Sequence, residues 1–138
     1  MAAAVLSFIG LVVGASLQFL FSRYLEAKKH QRDLRAKAYS DYLQCVSEHA
    51  NLKPAQPSSE GRQLGARTAD AKCRIALYGG EAVIAAFAGF ERLGATMNSA
   101  EQRDAFTDMV VAMRSDTLGS SVKAVDIEAI LFGPSAKP

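Results

Sequence analysis

The chain has 138 residues, enough for one compact domain with an attached element. Apolar residues make up 49% of it, an ordinary share for a globular protein, and the net charge of +2 is too small to indicate a nucleic-acid-binding protein. Every charged side chain lies from Arg23 onward, so the start of the chain differs sharply in chemistry from the rest.

The first predicted element is an uncharged apolar run at residues 2–21. About 20 apolar residues cross the roughly 30 Å hydrocarbon core of a bilayer as a helix, and this run has that length. A cleaved signal peptide is one alternative, but it would have positive charge before the run and a small-residue cleavage site after it. A buried helix of a soluble core is another, but a domain this small could hardly cover a helix that is apolar on every side. The sequence therefore predicts one transmembrane helix at residues 1–23.

Basic residues just past the run predict the orientation of this helix. Because positive charge stays on the cytoplasmic side, we expect the N-terminus outside and the C-terminal part in the cytoplasm, at the inner (cytoplasmic) membrane. The same residues are expected to attract anionic lipid headgroups, each contributing about 1 kcal/mol near the surface. The predicted lipid contacts are Arg23, Lys28, Lys29 and Arg32.

Small and polar residues share one side of the predicted membrane helix. Ser7, Gly10, Gly14 and Gln18 follow the spacing of three and four that places residues on one helix face. The glycine spacing lets two helix backbones approach closely, and a glutamine in hydrocarbon gains from a hydrogen bond to a neighbouring helix. Glycine is also simply common in membrane helices. We expect this face to mediate self-association, or to line a water-filled path in a larger ring.

The rest of the chain predicts an all-α fold. No glycine or proline occurs at positions 15–52, so one continuous helix is expected from about residue 3 to about residue 51. A polar stalk at residues 24–33 precedes an amphipathic stretch that begins at Leu34. We expect a cytoplasmic bundle of four to five helices at residues 34–133 and a frayed tail at 134–138.

The later helices are bounded by local signals. Pro54 and Pro57 mark a linker, after which Ser58 or Ser59 is expected to cap a helix that ends at the Gly79–Gly80 pair. Ser99 with Gln102 predicts a capping box. The predicted helices run over residues 81–93, 100–115 and 126–132, with Val83, Ile84, Phe87, Phe90, Phe106, Met109, Val110 and Met113 facing inward.

No motif predicts an enzyme, a cofactor or a metal site. Cys45 and Cys73 are interpreted as reduced core residues. Arg23 and His30 have a spacing found in the HEPN ribonuclease motif, but snorkelling of Arg23 and a solvated face for His30 explain them better. At the end of the fourth helix, Arg114 and Asp116 are expected to form a cap, with an intersubunit salt bridge as the alternative.

Two groups of bacterial proteins share this layout. The apolar start, the basic exit RYLEAKKHQRDLRAKAYSDYL, the segment IALYGG and the late MRSD and DIEAIL segments resemble small single-pass membrane proteins of uncharacterised role. The layout is also similar to the small membrane accessory proteins of RNA-targeting CRISPR systems, which have an N-terminal membrane helix and a helical cytoplasmic part. This resemblance implies assembly into membrane pores.

We therefore expect a membrane-anchored helical protein that self-associates and forms a pore or perturbs the membrane as a defence-type effector. The alternative is a membrane-tethered adaptor whose bundle binds a cytoplasmic protein. Membrane lipid and further copies of the chain are the expected partners, and nucleic acid is not.

Overall fold

The computed structural model describes residues 2–52 and 58–133, with side chains from Ser7 onward. Over these residues the chain is all-α, as predicted, and contains five helices and no strand. The predicted tail at 134–138 and the linker prolines Pro54 and Pro57 lie outside the described residues. The helices are α1 (Ala2–Leu52), α2 (Ser59–Tyr78), α3 (Glu81–Arg92), α4 (Ala100–Leu118) and α5 (Ala124–Phe132).

The chain divides into two compact units, Met1–Leu34 and Arg35–Pro138. The first is the N-terminal part of α1. The second contains the remainder of α1 together with α2 to α5, and these helices form a bundle around one apolar core.

Side-chain caps begin two of the helices where the sequence predicts them. The Ser58 hydroxyl accepts a hydrogen bond from the Gly61 N–H at 3.0 Å at the start of α2. At the start of α4, the Ser99 hydroxyl accepts from the Gln102 N–H and the Gln102 side chain accepts from the Ser99 N–H, both at 3.1 Å. This reciprocal pair confirms the capping box.

Two helices are longer than predicted. α4 continues past Ser115 to Leu118 and ends at Gly119, whose φ of +66° lies in the left-handed region that glycine adopts most readily. α5 begins at Ala124 rather than at Asp126. Polar residues such as Asp116 and Thr117 weaken the apolar pattern near the end of α4, but they do not break a helix.

Aromatic side chains connect the helices of the bundle. Tyr42 of α1 meets Phe87 of α3 edge-on, with ring centroids 4.9 Å apart. Phe90 of α3 lies 5.3 Å from Phe106 of α4, which in turn lies 6.2 Å from Phe132 of α5. The buried core consists of Ala38, Tyr39, Tyr42, Ala71, Ile75, Val83, Phe90, Phe106, Met109 and Met113.

Two side chains predicted to be inward are exposed. Ile84 is 42% exposed because α3 packs through the face that holds Val83 and Phe90. Cys73 is exposed because α2 packs through Ala71 and Ile75, which lie one turn apart on the same face. Cys73 is two residues from each of them and therefore lies on the opposite side of the helix. The prediction was therefore wrong for these two residues. Cys45, by contrast, is buried as predicted.

Candidate functional site

The N-terminal unit exposes its apolar side chains. Within the described residues, one helix is long and apolar enough to cross a membrane, and none of its apolar window is buried in the protein. The large exposed side chains include Phe8, Ile9, Leu11, Leu17 and Phe19. A soluble domain buries most side chains of this size, so this stretch has the surface of a segment that is covered by something other than its own chain.

The residues predicted for self-association lie on α1. Ser7, Gly10, Gly14 and Gln18 are all exposed, and a Cβ placed on either glycine would meet no atom within 4 Å. The backbone at both glycines is therefore open to another helix. The side-chain amide of Gln18 has no hydrogen-bond partner among the described residues. The Ser16 hydroxyl, in contrast, donates to the Val12 carbonyl at 2.8 Å.

Basic side chains follow the apolar stretch and lie over aromatic rings of the same helix. The guanidinium carbon of Arg23 is 5.5 Å from the centre of the Phe19 ring. The Lys28 ammonium is 4.6 Å from the centre of the Tyr24 ring. Both pairs are cation–π contacts at helical spacing. Lys29 and Arg32, the other residues predicted to contact headgroups, are exposed on the same stretch.

A polar cluster that the sequence did not predict joins α1, α4 and the turn between α2 and α3. The Arg35 guanidinium donates to the Tyr78 carbonyl at 2.7 Å and to an Asp116 carboxylate oxygen at 3.1 Å. The Tyr39 hydroxyl donates to the other Asp116 oxygen at 2.7 Å and accepts from the Gly80 N–H at 3.3 Å. We call Arg35, Tyr39 and Asp116 the Asp116 cluster.

Two features fix the geometry of the Asp116 cluster. A Cβ on Gly80 would lie 2.9 Å from the Asp116 side-chain carbon, so any larger residue at this position would displace the Asp116 carboxylate. Burial raises the pKa of the Tyr39 hydroxyl, and the hydrogen bond to Asp116 raises it further. The Tyr39 hydroxyl therefore keeps its proton and donates it in the hydrogen bond to the Asp116 carboxylate. The prediction that Asp116 caps α4 is wrong, because its partners are side chains of its own chain on α1.

Ion pairs also join α1 to α2. Arg74 donates to Asp41 at 2.8 Å and to Asp70 at 2.9 Å, and Arg67 pairs with Glu48. Hydrogen bonding to Arg74 lowers the pKa of Asp41, and hydrogen bonding to Arg67 lowers that of Glu48. Because these groups reach solvent, each pair contributes little to stability.

The described residues contain no group of three or more histidine, cysteine or acidic side chains that could hold a metal ion.

His49 uses Nδ1 for a contact of 3.1 Å with the Cys45 carbonyl. Lys72 of α2 pairs with Glu91 of α3 at 2.7 Å. The pair of Lys72 with Glu91, like the Asp116 cluster, joins helices of the bundle.

Little in the sequence could have revealed the Asp116 cluster. Arg35 and Asp116 are 81 positions apart, and no local pattern connects residues at that distance. The Gly79–Gly80 pair is the one local signal, because two successive glycines indicate a tight turn or a close approach to another group.

The chain matches no protein-family model, no curated protein and no solved structure.

Proposed function

We propose that this chain is a single-pass inner-membrane protein whose membrane helix self-associates through Ser7, Gly10, Gly14 and Gln18 and makes the bilayer permeable. The N-terminus lies outside and the bundle in the cytoplasm. One observation carries the proposal: the apolar stretch of α1 is uncharged and wholly uncovered, and basic residues follow it directly.

A bilayer relieves the exposure of this stretch. Moving a Leu, Ile or Phe side chain out of water is worth about 1.5–3 kcal/mol, and α1 carries many such side chains. A helix also satisfies its own backbone hydrogen bonds, which the bilayer core requires. Arg23 and Lys28 follow the stretch, and their charged groups lie over aromatic rings of the same helix at the level where headgroups are expected.

The small and polar face of α1 supports self-association. Gly10 and Gly14 leave the backbone open to close approach, and the Gln18 amide lacks a hydrogen-bond partner among the described residues. An equivalent Gln18 on a second helix supplies that partner, which is worth about 0.6–2 kcal/mol in a membrane. In a ring of several helices, Ser7 and Gln18 would line a water-filled path. The resemblance to CRISPR-associated membrane proteins also supports a pore, and with it a role as a defence effector.

Dye release from vesicles tests this proposal. Full-length protein is reconstituted into phosphatidylethanolamine–phosphatidylglycerol vesicles that hold a self-quenched dye, and its oligomeric state is measured by native mass spectrometry. We expect dye release and an oligomer. The double variant Gly10→Leu/Gly14→Leu should release no dye and should assemble more weakly, because the added side chains separate the membrane helices.

The matched control adds bulk to the opposite side of the same helix. Val12→Leu/Ser16→Leu, which has the same spacing of four as the glycine pair, should release dye and assemble like the unmodified chain. A monomeric unmodified chain would overturn the proposed self-association, and an oligomer that releases no dye would overturn the pore.

A further inference from the structure

The bundle carries an uncovered concave surface between α1 and α4. This groove has a volume of about 490 Å³ and apolar walls that include Leu43, Val110 and Leu118. Leu118 is 63% exposed. Among the residues that the structure describes, Arg114 is the only charged one that lines the groove, and it is itself exposed. The groove is therefore apolar, weakly positive and large enough for a few aliphatic side chains.

The bundle also carries an uncovered convex surface on α5. One side of this helix packs on α4 through Phe132 and Phe106. Val125, at the other end of the helix from Phe132, and Ile130 are 62% and 79% exposed, and Asp126 is also exposed. The charged residues of α5 are both acidic, Asp126 and Glu128. Lys123 directly precedes the helix and is also exposed, so this surface is apolar and only weakly negative.

We propose that α5 of a second copy of this chain docks in the groove between α1 and α4. The aliphatic side chains of a convex helix fill a concave apolar groove, whereas two grooves placed face to face would leave an empty space between them. The charges are complementary, because Asp126 on α5 carries the sign opposite to Arg114 in the groove. This inference rests on the proposed self-association and assigns it a second contact, in the bundle.

Charge favours a second copy over the lipid surface as the occupant. Helices that lie on membranes usually carry Lys and Arg on their polar face, which anionic headgroups attract. The acidic residues of α5 would instead be repelled. The contact joins two different surfaces, so a pair of copies keeps a free groove on one copy and a free α5 on the other. Such a contact continues from copy to copy and closes into a ring or extends as a filament.

The test uses full-length protein in detergent, with Gly10→Leu/Gly14→Leu present so that the membrane helices stay apart. The α5 variant is Val125→Lys/Ile130→Lys, and the groove variant is Ser40→Lys/Leu118→Lys. All four positions are exposed, so the bundle should still fold, and circular dichroism checks that it does. Each variant should assemble at least about tenfold more weakly than the background, because two charged side chains are placed in a contact that excludes water.

The matched control is Leu52→Lys/Leu77→Lys, which places the same two charges at exposed leucines of α1 and α2 outside both surfaces. This variant should assemble like the background. If the α5 and groove variants also assemble like the background, or if the background is monomeric while the unmodified chain assembles, the docking proposal is overturned and self-association through the membrane helix stands. If the unmodified chain is itself monomeric, both proposals fail.

A mixture of the α5 variant and the groove variant gives the decisive result. One chain supplies an intact groove and the other an intact α5, so an equimolar mixture should form a one-to-one dimer and nothing larger by native mass spectrometry. A contact between two identical surfaces would gain nothing from mixing. A mixture that stays as monomeric as its components would therefore refute docking of α5 in the groove.

Discussion

Asp116 is a single side chain on which three parts of the bundle depend. Its two oxygens accept from Arg35 and Tyr39, and its carbon lies against the Gly80 backbone. Removal of the carboxylate leaves a half-buried guanidinium and a buried hydroxyl without their acceptor. An unmet buried donor costs about 1–3 kcal/mol, more than the exposed ion pairs of the same bundle contribute.

We predict that Asp116→Ala lowers the free energy of unfolding by about 1–3 kcal/mol. Urea denaturation of the full-length protein, followed by tyrosine fluorescence, measures this change. The control is Asp108→Ala, since Asp108 lies on the same helix but is exposed, and it should stay within about 0.5 kcal/mol of the unmodified chain. Equal losses in the two variants would show that the Asp116 cluster does not stabilise the bundle.

Buried tyrosines predict how stability depends on alkaline pH. Burial raises the pKa of Tyr39 and of Tyr42 above the ordinary value near 10. Above about pH 10 the unfolded chain therefore loses these phenolic protons while the folded chain keeps them. Because the folded state then binds more protons, the free energy of unfolding falls as the pH rises through this range.

We predict that Tyr42→Phe makes this fall shallower, by up to about 1.4 kcal/mol for each pH unit above 10. Urea denaturation at a series of pH values from 9 upward measures the slope for each chain. At the start of the series, near pH 9, the free energies of unfolding of the two chains should change in parallel, because Tyr42 is protonated in both the folded and the unfolded chain. Parallel curves above pH 10 would mean that the Tyr42 pKa is not raised.

At the scale of the helices, local sequence signals predicted the fold well. Ser58, and Ser99 with Gln102, cap helices through their own side chains, so a few neighbouring residues determine where α2 and α4 begin. The absence of glycine and proline over residues 15–52 predicted the continuity of α1. The all-α fold with a long apolar first helix is thereby confirmed.

The errors in the prediction have a common physical origin. A run such as Val83–Ile84 places two apolar residues side by side, and periodicity alone does not say which of two adjacent faces meets the core. Because α3 packs against α1 and α4 through the face that holds Val83 and Phe90, Ile84 is exposed. The Asp116 cluster was missed because it depends on the same long-range packing.

The face with Ser7, Gly10, Gly14 and Gln18 and the headgroup contacts at Arg23, Lys28, Lys29 and Arg32 remain predictions. A single chain has no lipid or second helix against which these side chains can be placed. The structure adds that both glycines are open and that the side chains around them are exposed.

At the scale of the whole molecule, the arrangement of charge predicts topology. A C-terminal green fluorescent protein fusion should fluoresce in cells and a C-terminal alkaline phosphatase fusion should be inactive, because the C-terminal end is expected in the cytoplasm. Both fusions should stay with the membrane fraction after a carbonate wash. Release into the supernatant would contradict insertion.

The control for orientation removes the charge bias. Lys28→Glu, Lys29→Glu and Arg32→Glu together should lower fluorescence and raise phosphatase activity, since three of the four positive charges predicted to hold the C-terminal part inside are removed. The exposed positions Arg62, Arg92 and Lys123 provide a matched set of acidic substitutions far along the chain, which should leave both signals unchanged. An active phosphatase fusion to the unmodified chain would show the opposite orientation.

The unequal burial of the two cysteines gives the molecule a natural attachment point. Cys73 is exposed and Cys45 is covered, so a nitroxide reagent added to the native chain should modify Cys73 alone. Every copy in an assembly would then carry one spin at an equivalent position. Dipolar spectroscopy of such a sample reads subunit geometry directly, because a pair yields one inter-spin separation whereas a closed circle of four or more yields several.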